Sequence, residues 1–142
     1  MRAPRADRER GSAAVEAVIG IPAFGLFVAL IIIGGRVAVA HQGVEVAAAD
    51  AARAASISRT QSQALDAATR AATTSLRGQG LDCQSTAVSV DVTGFAAPPG
   101  TPASVRATVT CVVSLSDLAI PGSGSRTISA AVSSPLDTYR ER

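Results

Sequence analysis

The sequence has no Trp and no Lys, one His, two Cys and only four aromatic residues (Phe24, Phe27, Phe95 and Tyr139) in 142 residues. Each shortage excludes something. Hydrophobic residues make up 47% of the chain, but 29 of them are Ala, so the apolar content carries little bulk and no large jigsaw core can form. The length is too short for a β/α barrel. Thirteen basic residues against eleven acidic ones leave a net charge of +2, too small for a nucleic-acid-binding surface. All the basic residues are Arg, which we read as a codon-usage trace without mechanistic weight. His41 has no acid or nucleophile at motif spacing, and it reads as an interfacial polar residue. Ser123 in PGSGS lacks the G-x-S-x-G frame and reads as loop. There is no phosphate loop and no metal-ligand cluster, so an enzyme is the least favoured class and no cofactor is expected.

What is present is a strong segregation of charge. The first ten residues hold Arg2, Arg5, Arg8 and Arg10 against Asp7 and Glu9. Ala17 to Gly35 (AVIGIPAFGLFVALIIIGG) then runs 19 residues without a charge, and Arg36 closes the run. As a helix this run spans about 28 Å, close to the hydrocarbon thickness of a bilayer. A chain so poor in large apolar residues could not cover such a helix in a soluble core. The four Arg in front of it favour an N-terminus in the cytoplasm, which puts everything after Arg36 outside. Pro22 removes a backbone hydrogen bond and predicts a kink, which membrane helices tolerate. Gly20, Gly25, Gly34 and Gly35 thin the surface, but no GxxxG pair lies within the run.

From Val37 to about Leu76 the chain is rich in Ala, lacks Pro and has one Gly, Gly43. This predicts a continuation of the helix outside the membrane, ended by Gly78 and Gly80. The composition then changes. Thr86–Thr93, Ser104–Ser116 and Arg126–Ser133 are β-branched or alternating and predict three strands, separated by AAPPGTP (96–102) and PGSGS (121–125). The expected fold class is α+β: a long N-terminal helix, transmembrane in its first half and extracytoplasmic in its second, then a small antiparallel sheet. The expected segments are 1–11, a basic leader; 12–36, a transmembrane helix; 37–78, an outer helix; 79–135, a β-rich region; and 136–142, a frayed polar tail.

Cys83 and Cys111 are the only cysteines. Outside the cytoplasm the default for such a pair is a disulfide. The alternative is two free thiols or a metal pair, but two Cys and a distant His41 cannot close a tetrahedral zinc site within one chain.

The stretch Arg10-Gly11-Ser12-Ala13-Ala14-Val15-Glu16 is the most informative. A carboxylate at the mouth of an apolar helix is costly in a membrane unless it is paired. A short basic leader, Gly11, a small residue at Ser12, and Glu16 five residues into the mature chain resemble the cleavage site of type IV prepilins and pseudopilins. Followed by a Pro-containing apolar run, the stretch most closely resembles the TadE-like pseudopilins of tight-adherence (Flp) pilus systems. The resemblance covers about residues 10–36. Flp major pilins usually follow the Glu with Tyr and TadE-like proteins with Phe, whereas this chain has Ala17. The resemblance implies a membrane prepilin peptidase that cuts between Gly11 and Ser12, leaving side-chain charges that sum to zero. It implies that the freed Ser12 amine pairs with Glu16 of a neighbouring subunit and sets helix register. The implied partners are the peptidase, other pilin-like subunits, the pilus assembly platform and membrane lipid.

Two rival readings use the same residues. Ala38-Val39-Ala40 is an A-x-A pattern after an apolar run, so a signal peptidase cutting before His41 would release a secreted domain. An uncleaved single-pass anchor holding a small outer domain is the other.

Overall fold

The computed structural model describes residues 6–115 and 124–138, with side chains from residue 15 onward. The element order is α1 (Ala6–Ser56), α2 (Gln61–Gly78), β1 (Cys83–Asp91), a 3-10 turn (Thr93–Ala96), β2 (Ser104–Ser114) and β3 (Ser125–Pro135). The chain divides into two compact units, Met1–Arg36 and Val37–Arg142. The architecture is α+β, with a long apolar N-terminal helix, a second helix and a three-stranded antiparallel sheet.

In the first unit α1 continues through Pro22. Most of its large side chains, among them Ile19, Phe24, Leu26 and Ile31, are exposed, and Ile33 is half-buried. The apolar stretch is long and hydrophobic enough to cross a membrane, and none of its most apolar part is covered by the rest of the chain.

The second unit makes its own core. On α1 the buried residues are Ala40, Val44, Ala47, Ala48, Ala51, Ala52 and Ala55; on α2 they are Ala64, Ala68, Ala72 and Leu76. The i, i+4 spacing puts each set on one helical stripe, and Ala keeps both stripes thin enough for close packing.

The outer helix expected to run unbroken to Gly78 is broken at residues 57–60. Local hydroxyl chemistry explains the break. Ser56 Oγ donates to the Arg53 carbonyl at 2.9 Å and Ser58 Oγ donates to the Ala54 carbonyl at 3.0 Å, competing with helix continuation. Thr60 then caps α2, its Oγ1 accepting from the Gln63 N–H at 3.3 Å, in the T-x-x-Q pattern of a capping box. At the far end Gly80 adopts φ 66°, its N–H donates to the Arg77 carbonyl, and the Leu81 N–H donates to the Leu76 carbonyl. This is a Schellman motif, and it ends the helix where Gly78 and Gly80 predict.

The sheet order is β1-β2-β3, with β2 central. Alternate residues of β2 (Val105, Ala107, Val109 and Cys111) are buried. The register places Val88 opposite Val109 and Val90 opposite Ala107 on one side, and Ile128 opposite Cys111 and Ala130 opposite Val109 on the other. One face is therefore continuous and apolar, as a period of two requires. Ser134 Oγ donates to Ser56 Oγ at 3.0 Å, joining β3 to the end of α1.

Two expectations change at the end of the sheet. The strand expected to run to Thr93 ends at Asp91, and a 3-10 turn, Thr93–Ala96, buries Phe95 ahead of the 96–102 loop. The tail is docked at its start: Leu136 is buried and its N–H donates to the Ala103 carbonyl at 2.9 Å, while the Gly100 N–H donates to the Thr138 carbonyl. Ser123 and residues 139–142 lie outside the described residues.

Candidate functional site

Two sets of residues stand out in the sequence, one in each unit. In the first unit, Gly11 and Ser12 fall within the backbone of α1, and Glu16 follows on the same helix with its side chain exposed. Ser12 and Glu16 are four residues apart in the helix, about 6 Å along its axis. Glu16 is immediately followed by the exposed apolar residues Val18, Ile19 and Ile21. A carboxylate there has no low-energy place in lipid without a cationic partner. Gly20, Gly25, Gly34 and Gly35 have open space where a Cβ would stand, so the chain's own fold does not require glycine at any of them.

In the second unit, Cys83 and Cys111 form a disulfide across a sequence separation of 28. It ties the first residue of β1, which is half-buried, to the buried centre of β2. By loop-closure entropy a loop of this length contributes about 3–4 kcal/mol. Ten of the eighteen buried hydrophobic residues are Ala. A buried methyl contributes about 0.8 kcal/mol, against about 1.5–3 for a large aliphatic side chain, so the cross-link is a large share of this unit's stability.

The same neighbourhood holds a contact the sequence pattern did not reveal. A Cβ on Gly43 would run into Leu81 Cδ1, and Gln79 Nε2 donates to the Gly43 carbonyl at 3.2 Å. The strap between α2 and β1 thus docks Gln79 and Leu81 on α1 and bonds Cys83 to β2. Gly43 as the lone Gly in an Ala-rich helix was the available signal, because such a Gly costs helix stability unless packing requires it.

At the other end of β1, Asp91 Oδ1 accepts from the Thr93 hydroxyl at 2.7 Å and from the Thr93 N–H at 3.0 Å. These two bonds, the hydroxyl first, hold the Asp91 pKa below its ordinary value of 3.8. Asp91 is a turn-forming residue. His41 is exposed on α1. Among the described residues no group of three or more His, Cys, Asp or Glu is placed to hold a metal ion.

Comparison with protein families matches residues 11–53 to the family described as TadE-like protein. The match runs from Gly11 through the apolar part of α1 and into the Ala-rich stripe. No curated protein and no solved structure matches the chain.

Proposed function

We propose, from the match of residues 11–53 to the TadE-like family, that the chain is a minor pseudopilin of a tight-adherence-type pilus, a structural and assembly protein. The observation that carries this reading is the position of Glu16. It lies one helical turn after Ser12, on one continuous helix, at the entrance to an apolar stretch that the chain itself leaves uncovered. A prepilin peptidase cuts between Gly11 and Ser12. The cut removes Arg2, Arg5, Arg8 and Arg10, which until then hold the N-terminus in the cytoplasm. It also creates an α-amine on Ser12. That amine pairs with Glu16 of a neighbouring subunit, neutralises its charge within the helix bundle and sets the axial register.

The protein sits in the cytoplasmic membrane as a single pass, with the unit from Val37 onward outside. The disulfide supports that side, since such bonds persist in oxidising compartments. Its partners are the prepilin peptidase, other pilin-like subunits, the assembly platform and lipid. A cut after Ala40 fits less well, because it would remove Ala40 from the core and open α1 next to Gly43.

The test is the mature N-terminus of the protein from its native membrane fraction, read by peptide mass spectrometry. Ser12 is the expected result. His41 would instead mean a secreted domain, and Met1 or Arg2 a plain anchor. A second check separates cleavage from assembly: Glu16→Ala is still cut but does not enter pili, and its normal incorporation would refute the pairing role.

A further inference from the structure

The sheet order makes β1 and β3 the two edge strands. The Leu136 N–H donates to the Ala103 carbonyl and the Leu115 N–H to the Gly124 carbonyl, one pair just beyond each end of the β2–β3 register. In an antiparallel ladder each residue turns its N–H and C=O to the same side, and successive residues turn to opposite sides. Counting from these two pairs, the even-numbered residues of β3 face β2. Thr127, Ser129, Ala131 and Ser133 therefore turn their backbone groups to the free edge, where no other strand lies among the described residues. Such an edge is a template for another strand, and proteins guard it with charge, Pro, a bulge or a covering element. β1 is guarded. A register shift falls between Cys83 and Ser85, α2 lies against the strand, and Asp91 ends it. β3 keeps an unbroken register along its whole length, and from Thr127 to Ser134 it has neither charge nor Pro. The tail does not cover it, because Leu136 and Thr138 bond to Ala103 and Gly100 on the β2 side.

We propose that the free edge of β3 takes an extended segment of a different protein as a fourth strand of the sheet. Three features set the chemistry of that segment. The outward N–H and C=O groups of Thr127, Ser129, Ala131 and Ser133 require an extended backbone without Pro. On the core side of β3, Ile128 is buried and Ala130 and Val132 are half-buried, whereas Thr127, Ser129, Ala131 and Ser133 are exposed on the other side. The added strand therefore alternates, with apolar residues beside Ala130 and Val132 and small or polar residues outward. Arg126 is exposed and has no ion-pair partner among the described residues, so a carboxylate on the segment belongs at that end. A second copy does not meet these terms through β3. That strand carries no acid, so parallel pairing sets Arg126 beside Arg126, and antiparallel pairing leaves it near Ser134. The β1 edge of a second copy is closed by its own guards. The inference uses the second unit alone and does not depend on the pilus reading.

Photo-cross-linking of the full-length chain in its native cells tests this. Benzoylphenylalanine replaces Thr127, which is exposed beside the edge, and the adducts are mapped by peptide mass spectrometry. The expected adduct joins residue 127 to an alternating, Pro-free segment of another protein with an acidic residue near the cross-link. Ala131→Pro deletes one N–H on the free edge and leaves the β2 ladder intact. Ala131→Lys puts a charge on the same edge without changing the backbone. Each is expected to lower the adduct yield about tenfold, while an intact Cys83–Cys111 bond on non-reducing gels reports folding. If Ala131→Pro fails to form that bond, the Lys variant decides. Arg126→Glu lowers the yield as well, through the lost charge pair. The inference is overturned by an adduct of two copies of this chain, by an adduct on a segment without the alternation, or by no adduct. A yield that the folded Ala131 variants leave unchanged overturns it too.

Discussion

The two units use the same small residues for opposite purposes. In the first, Gly20, Gly25, Gly34 and Gly35 each have empty space where a side chain would be, and Phe24 and Leu26 are 69% and 66% exposed. In the second, Gly43 and Gly94 have none: added Cβ atoms would run into Leu81 Cδ1 and the Ser104 carbonyl oxygen. The second unit satisfies itself, with thin Ala stripes, a one-sided sheet and a disulfide. In the first, the described large apolar side chains are left mostly exposed on a helix long and apolar enough to cross a membrane. Glycine therefore marks close packing at Gly43 and Gly94 and open surface at the four glycines of the first unit.

The contrast can be broken or sharpened by substitution, with thermal unfolding of the full chain in detergent as the readout. The largest effect is expected for Cys111→Ala together with Cys83→Ala, which removes the loop constraint and costs about 2–5 kcal/mol. A melting temperature unchanged from the parent would show that the Ala core suffices alone. Gly94→Ala comes next, at about 1–3 kcal/mol, because the obstacle is a backbone carbonyl that cannot swing aside. Thr60→Ala removes the cap of α2 and lowers stability by about 1 kcal/mol. Gly25→Ala should leave the unfolding of the second unit where it was, and any change it makes should appear in pilus incorporation instead.

The smallest effect belongs to Asp91. Because its folded pKa is lowered, the stability it adds is fully present above the ordinary value of 3.8 and is lost as pH falls through the folded value. Asp91→Asn should leave melting at neutral pH nearly unchanged and flatten the acid side of the stability profile. An acid limb as steep as the parent's would assign that loss to other carboxylates.

Local chemistry made much of this fold readable. The β-branched alternation in 86–93 and 104–116 marks strands because a pleated chain sends alternate side chains to opposite faces, and the register of Val88, Val109 and Ala130 follows from it. Gly80 marks the end of α2 because it accepts a positive φ without strain. The break at 57–60 was harder to see, since Ala on both sides favours helix and only the Ser56, Ser58, Thr60 and Gln63 side chains argue for a turn. Leu136 looked like part of a frayed tail because nothing nearby in sequence shows that Ala103 and Gly94 lie beside it. At the candidate site, Gly11, Ser12 and Glu16 were readable because they are contiguous. The Gly43 contact was not, because its partner lies 38 residues away.

The sequence by itself determined where the chain is apolar without relief, where its charges stop, which segments are helix or strand, and that two cysteines were available to pair. These properties depend on the order of neighbouring residues and on backbone preferences that act over a few bonds. Only the tertiary structure decided that the Ala-rich helix folds back on itself, that Gly43 lies against Leu81, that Leu136 closes the core, and which side of α1 is left open. Those outcomes depend on which distant surfaces exclude water and each other, and a one-dimensional pattern does not contain that information.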